Sequence, residues 1–293
     1  MISGAEILQK EYKIDSEDRI AYKGPNSINW IAWNLATNSL GATWVPMYAD
    51  QSVNYSNFII KDCNPRLLIQ DENLEKNSNV QILSNDINYC ENLDNNFNFI
   101  KPCNDLATLI YTSGTTGDPK GVMLTNENIL SNIESVHKLF ENSDKTRSLN
   151  ILPWAHIYSQ TSELYYSLLH NNSLAICSNK TQFLNEMKEI KPDVLYLVPR
   201  VLELIKEKTN MFDKPIIKNI LPLILSRAFG GNLKYIFSGG AKLNNETKKF
   251  YENNGIIICE GYGCSETSPM ISVNHYNNPR NIDSVGKILD NVI

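Results

Sequence analysis

Long apolar runs are missing from this sequence. No stretch approaches the roughly 18 consecutive apolar residues of a membrane-spanning helix, so no transmembrane segment is expected. Dense basic runs are missing too. The 27 lysines and arginines are scattered among 32 acidic residues, and a net charge of −5 excludes the broad positive field that attracts nucleic acid. Nucleic acid is therefore not expected as a partner, while a local, peripheral membrane contact stays open. The six cysteines (Cys63, Cys90, Cys103, Cys177, Cys259 and Cys264) contain no C-x-x-C pair. Their wide gaps suit neither a zinc site nor a small disulfide scaffold, and point to a reducing interior. The opening residues Met1–Glu6 lack the basic start and apolar middle of a signal peptide. The expected location is cytoplasmic or otherwise intracellular. No short-period repeat is present.

What is present is a globular composition. With 42% hydrophobic and 20% charged residues over 293 positions, the chain can bury a large core. Short apolar runs alternate with amphipathic helical spacing, which predicts an α/β fold of layered, mainly parallel sheets flanked by helices. Ligands of such folds lie at the C-terminal ends of strands. The first β-α-β unit reads as a strand at Arg19–Tyr22, a helix opened by Pro25 with Ile28, Ile31, Ala32, Leu35 and Ala36 on one face, and a strand at Thr43–Val45. Further on, a helix is predicted near Val53–Lys61 and a strand at Arg66–Gln70, before an asparagine-rich connection, densest at Asn92–Asn98, that runs to Lys101. Thr125 or Asn126 caps a predicted helix to about Glu141, with Glu127 in its first turn. Later strands are predicted near 149–152, 174–177, 194–198, 233–237 and 256–259, and helices near 158–170, 199–208 and 244–253. No linker divides the chain, so 1–293 is treated as one unit.

The stretch Tyr111-Thr112-Ser113-Gly114-Thr115-Thr116-Gly117-Asp118-Pro119-Lys120-Gly121 carries the strongest chemical signal. Glycines let backbone N–H groups approach an anion, the hydroxyls of Thr112, Ser113, Thr115 and Thr116 add donors, and Lys120 adds positive charge. The stretch reads as a phosphate cradle between a strand pattern and a helix pattern. It is not a Walker A loop, because Gly121 rather than Ser or Thr follows the lysine. An ordinary surface turn of the same composition is the bland reading.

Every position of this stretch matches Y-T-S-G-T-T-G-x-P-K-G, and the chain here resembles the adenylate-forming superfamily, the acyl-CoA synthetases and their relatives. Two further segments carry the likeness. One is Ser238-Gly239-Gly240-Ala241 followed by Glu260-Gly261-Tyr262-Gly263-Cys264-Ser265-Glu266-Thr267-Ser268-Pro269, similar to the family's paired adenine and metal motifs. The other is Leu152-Pro153-Trp154-Ala155-His156-Ile157, similar to L-P-x-x-H. The wording of Val198–Glu203 and of the Tyr262 motif looks most like the long-chain fatty acyl-CoA synthetase branch.

The resemblance implies ATP-dependent activation of a fatty acid to acyl-AMP, then transfer of the acyl group to the thiol of CoA. It implies roles residue by residue. Thr112, Ser113, Gly114, Thr115, Thr116, Gly117 and Lys120 would hold the phosphates. Gly261 and Gly263 let the backbone approach beneath the purine on which Tyr262 stacks, and Gly239, Gly240 and Ala241 line its other side. Glu266, with Thr115, would hold Mg²⁺, since a hard carboxylate oxygen suits that ion. Ser265 keeps the hydroxyl of the threonine usual there. His156 would lie beside the carboxylate being activated. Among these, His156, Thr115 and Glu266 are the candidate catalytic residues. A lone glutamate, tyrosine or histidine is otherwise a solvated or packed residue. His137, His170 and His275 have no motif around them.

Relative to that family the chain reads as shortened at both ends. It starts close to the segment Asp18–Asn26 and stops just after Ser284–Lys287, which resembles the segment preceding a ribose-binding aspartate, a hinge and a C-terminal lid with its lysine. The expectation is a large N-terminal-type adenylation domain without the lid. Loss of such a lysine would slow the chemistry on the order of 10²–10³, by analogy with oxyanion donors. Three readings follow: part of a synthetase completed elsewhere, an impaired relative, or a nucleotide- or acyl-binding module without turnover. A non-catalytic scaffold and an aryl- or amino-acid-activating relative are the alternatives. An apolar tunnel for a medium or long fatty acid is expected.

Overall fold

The computed structural model describes residues 2–71, 80–86, 106–112, 118–140, 145–209, 220–277, 281–290 and 292. The asparagine-rich 92–98 stretch lies outside them, as do Ser113, Gly114, Thr115, Thr116 and Gly117 of the expected phosphate cradle. The chain divides into two compact units, Met1–Leu130 with Pro153–His156, and Ser131–Leu152 with Ile157–Ile293. The α/β architecture with two largely parallel, helix-flanked sheets is the expected one.

The first unit holds six strands: β1 (Arg19–Lys23), β2 (Thr43–Met47), β3 (Leu67–Gln70), β4 (Ile82–Ser84), β5 (Leu106–Thr112) and β6 (Lys120–Thr125). Their order is β4-β3-β1-β2-β5-β6, parallel except for the antiparallel β5–β6 edge. The β1-helix-β2 unit is present, but its helix spans Ile28–Ser39 rather than opening at Pro25. The reason is a cap: the Ser27 hydroxyl accepts the Trp30 N–H at 3.0 Å, satisfying a donor that the first turn leaves orphaned. Helix Val53–Cys63 lays Ile59 and Cys63 against Ala21, Val45, Leu68, Leu109 and Tyr111 of the sheet.

The second unit holds β7 (Arg147–Asn150), β8 (Ser173–Ile176), β9 (Val194–Leu197), β10 (Tyr235–Ser238), β11 (Ile257–Gly263), β12 (Met270–Val273) and β13 (Lys287–Ile288). The order is β13-β12-β11-β10-β9-β7-β8, with β12 and β13 antiparallel to their neighbours. Leu195, Leu197, Ile236 and Ile258 of the parallel strands meet Phe183, Met187, Leu202, Leu225, Phe229 and Tyr251 of the helices in one core. Each such side chain, fully buried, contributes about 1.5–3 kcal/mol.

One expectation is corrected. The glycine-rich stretch does not lead from a strand into a helix: β6 intervenes, so the stretch connects the two arms of an antiparallel hairpin. Only Leu124 of β6 is buried, and a strand with so few buried positions carries too little alternation to read. Helix Asn126–Leu139 follows, with Asn128 N–H on the Thr125 hydroxyl at 3.1 Å and Thr125 N–H on Asn128 Oδ1 at 3.1 Å. The helix expected near 158–170 is a helical run from Ile157 to Leu169 whose middle, Gln160–Tyr165, is π-helical. Among the described residues no helix is long and apolar enough to cross a membrane.

Candidate functional site

In the first unit, register places Thr112 directly opposite Lys120 at the mouth of the β5–β6 hairpin. Lys120 is exposed and Thr112 half-buried. The strand end behind them is pinned by the Tyr111 hydroxyl, which donates to the Asp62 carboxylate at 2.5 Å. Burial, reinforced by that acceptor, pushes the Tyr111 phenol well above its usual range, so it stays a donor. Gly121 has no room for a side chain without displacement, because an added Cβ would lie 2.9 Å from Leu109 Cδ1. The structure thus brings together the two described ends of the expected cradle.

His156 belongs to the same unit and sits on a short segment held by its neighbour. Trp154 is fully buried, packs edge-on against Trp30 at 5.4 Å, and gives its backbone N–H to Asn26 Oδ1 at 2.9 Å. His156 N–H returns to the Pro153 carbonyl at 3.1 Å, and the residue is exposed. The ring keeps an open face, yet protein atoms crowded behind it lower its pKa by desolvation. Desolvation thus favours the neutral imidazole over the charged form.

Either flank of that segment is gripped within the second unit. The Leu152 carbonyl accepts Asn150 Nδ2 at 2.9 Å and lies 3.1 Å from the Ser159 hydroxyl. Glu163 Oε2 in turn accepts Asn150 Nδ2 at 2.5 Å and lies 3.2 Å from Ser159 Oγ. Glu163 is completely buried. Desolvation pushes its carboxyl up to about 8, although the Asn150 and Ser159 contacts pull the other way. No sequence motif pointed to Glu163, and its only signal is a carboxylate inside an otherwise buried helical run.

The adenine motif residues gather in the second unit. Ser238 and Glu260 are register partners, so Gly239-Gly240-Ala241 and Gly261-Tyr262-Gly263 leave adjacent parallel strands side by side at their C-terminal ends. Gly240 has φ +81°, which a side chain would strain. An added Cβ at Gly263 would come within 1.8 Å of the Pro269 carbonyl oxygen, whereas Gly261 has ordinary clearance. Gly263 is therefore demanded by the chain's own packing, whereas Gly261 is not, since a Cβ there would meet Ser272, Met270 and Val273 at ordinary contact distances. Ala241 is exposed, and Tyr262 is 59% exposed.

Ser265 and Glu266 occupy a single 3-10 turn, Ser265–Thr267. The Thr267 hydroxyl accepts the Cys264 N–H at 3.2 Å, and Asn132 Nδ2 reaches the carbonyls of Thr267 at 3.2 Å and Met270 at 2.7 Å. Asn132 is a positioning residue that sequence reasoning missed. Glu266 is exposed. Among the described residues no cluster of three His, Cys, Asp or Glu side chains could hold a metal. A lone exposed carboxylate fits Mg²⁺ all the same, because that ion uses one or two carboxylates with substrate phosphates and water. Thr115, its expected companion, lies outside the described residues.

A cavity of about 20 Å³ in the second unit is walled by Phe140, Tyr166, Tyr196, Tyr235, Phe237 and Met270, among others. That is room for about one water, not for an acyl chain. Tyr196 and Phe237 stack at 5.2 Å and Phe140 meets Phe237 edge-on at 5.1 Å, so aromatic rings fill the space.

Residues 4–293 match the family model described as AMP-binding enzyme. The chain belongs to the AMP-binding enzyme family. Among relatives, the long-chain-fatty-acid–CoA ligase FadD15 of Mycobacterium tuberculosis is 25% identical over 94% of this chain and 56% of its own length. Long-chain-fatty-acid–CoA ligase 5 of Mus musculus is 26% identical over 91% of this chain and 50% of its own. The chain thus spans about half the length of the curated relatives it matches. Solved AMP-binding enzymes share the fold: the o-succinylbenzoate coenzyme A synthetase MenE of Bacillus subtilis, in complex with AMP, aligns with a TM-score of 0.78 at 21% identity. That alignment covers 99% of this chain and 72% of that one. ATP-bound MatB of Rhodopseudomonas palustris aligns with a TM-score of 0.78 at 22% identity, over 98% and 57% of the two chains.

Proposed function

We propose that this chain carries the nucleotide-binding and acid-activating part of an acyl-CoA ligase that adenylates a fatty acid. Tyr262 carries the reading. A large aromatic ring 59% exposed at a strand's C-terminal end, with the Gly239–Ala241 turn beside it, is the surface a purine would cover. In this reading Thr112 and Lys120, with Ser113, Gly114, Thr115, Thr116 and Gly117, bind ATP phosphates through amides, hydroxyls and one ammonium. Glu266, with Thr115, holds Mg²⁺, which screens the triphosphate charge. His156, exposed and with its charged form disfavoured by desolvation, hydrogen-bonds the acid's carboxyl group and orients it. CoA is the thiol acceptor of the acyl group. An intracellular setting suits these substrates.

The names of the relatives favour a long-chain acid, whereas the name of the solved o-succinylbenzoate coenzyme A synthetase favours an aryl acid as the second reading. Titration with AMP, followed by ATP–pyrophosphate exchange with acetate, an aryl acid, amino acids and fatty acids of increasing length, separates them. Fatty acids should stimulate exchange most. Stimulation by aryl or amino acids alone would replace the substrate class, and AMP binding without exchange would leave a binding module. Tyr262→Ala should weaken AMP about tenfold, near the upper end of what one aromatic contact contributes, at unchanged thermal stability. Equal AMP affinity in this variant would remove the adenine role from Tyr262.

A further inference from the structure

Lys248, which lies outside every motif, forms an ion pair with Glu260, the first residue of the Tyr262 segment. They are 1% and 4% exposed, and the Lys248 ammonium contacts Glu260 Oε2 directly. Each has a second tie. Glu260 Oε1 accepts the Leu243 N–H at 2.9 Å, and Lys248 Nζ donates to the Ile282 carbonyl at 2.5 Å.

The places joined are informative. Leu243 lies two residues past Ala241, and Glu260 immediately precedes Gly261. Ile282 belongs to the segment approaching β13, which Asn245 Nδ2 also holds through Asp283 at 3.0 Å and Asn274 Nδ2 holds through the Asn281 carbonyl at 2.8 Å. One buried pair therefore fastens the chain leaving β10, the end of β11 and the 281–283 segment to one another. Desolvating two charges contributes little net stability, and well-packed apolar groups do as well or better. Fold stability alone gives no reason for the pair. Fixed spacing among three segments does.

We propose that Lys248 and Glu260 are positioning residues for the nucleotide base, setting the separation between the Gly239–Ala241 turn and the Tyr262 strand end. The inference rests on the reading of Tyr262 as the adenine platform. It differs from that reading in placing the control of base affinity in a charge pair that itself touches no ligand.

The test compares two probes, AMP and inorganic pyrophosphate, titrated calorimetrically into the whole chain and into the double variant Lys248→Met/Glu260→Gln. Both charges leave together, and glutamine keeps an acceptor for the Leu243 N–H. The AMP dissociation constant should rise about tenfold while that of pyrophosphate moves less than about twofold, a change in selectivity that a merely structural role would not produce. Unchanged AMP affinity, or equal loss for both probes in a folded variant, would overturn the positioning role and leave the adenine reading standing. A parent chain that binds pyrophosphate but not AMP would overturn the adenine reading and this inference with it. Should the double variant not fold, Glu260→Gln alone, which keeps an acceptor for the Leu243 N–H and removes the ion pair, carries the same comparison with the same outcomes.

Discussion

Glu163 concentrates the residue-scale physics of the second unit. Its carboxyl is enclosed, grips Asn150 and through it the Leu152 carbonyl, and has a pKa pushed from 4.5 up to about 8 chiefly by desolvation. The sign of the linkage follows directly. Between those two values the folded chain holds a proton that the unfolded chain has lost, so stability falls as pH climbs through the interval and levels off above it. The full swing is roughly 3–5 kcal/mol for a group this enclosed. Glu163→Gln keeps an acceptor for Asn150 Nδ2 and removes the titration. Denaturant melts across the interval should show the parent losing stability with rising pH, and the variant losing much less. Parallel pH profiles would place the titrating group elsewhere.

At the scale of elements, the β5–β6 hairpin turns a composition into a geometry. Antiparallel register, not sequence adjacency, sets Thr112 across from Lys120, and the Tyr111–Asp62 bond steadies the arm beneath. Lys120 is exposed and lies where β6 leaves the connecting stretch, so Lys120→Gln should fold normally. A hydrogen bond to a charged group contributes about 1.5–3 kcal/mol, so pyrophosphate affinity should fall roughly ten- to a hundredfold, with a shallower dependence on salt. Pyrophosphate titrations at low and high ionic strength check both, and an affinity equal to the parent's would take Lys120 out of the phosphate reading. Legibility differed here between elements. The parallel strands β1, β2, β3, β9 and β10 announced themselves as apolar runs because both faces are covered. Strand β6, buried only at Leu124, and the two-residue β13 carry no such signature.

For the molecule as a whole, motifs were legible and depth was not. Gly239–Ala241 and Gly261–Gly263 could be read as partners from wording alone, and the register of β10 with β11 accounts for it, since local sequence controls what happens at two adjacent strand ends. The Lys248–Glu260 pair, the Asn132 tie to the Glu266 turn and the filling of the aromatic cavity were illegible, because each depends on how individual side chains of different elements pack and leaves no spacing or wording in the sequence. The cavity wall takes Phe140 from helix 126–139 and its extension, Tyr166 from the 157–169 run, Tyr196 from β9 and Phe237 from β10. Its volume is thus a property of the packed unit, and under the proposed function its wall is where the length of the acid would be limited. Phe237 is the ring to change, being held between Tyr196 and Phe140. Phe237→Leu removes the flat face that closes the space, at a cost of about 1–2 kcal/mol for a partial large-to-small change in a core. Exchange stimulated by a series of fatty acids should move toward longer chains in this variant, with AMP affinity unchanged because the base platform at Tyr262 is untouched. An identical length profile in a folded Phe237→Leu chain would separate this cavity from the acid and send the search for the acyl site elsewhere.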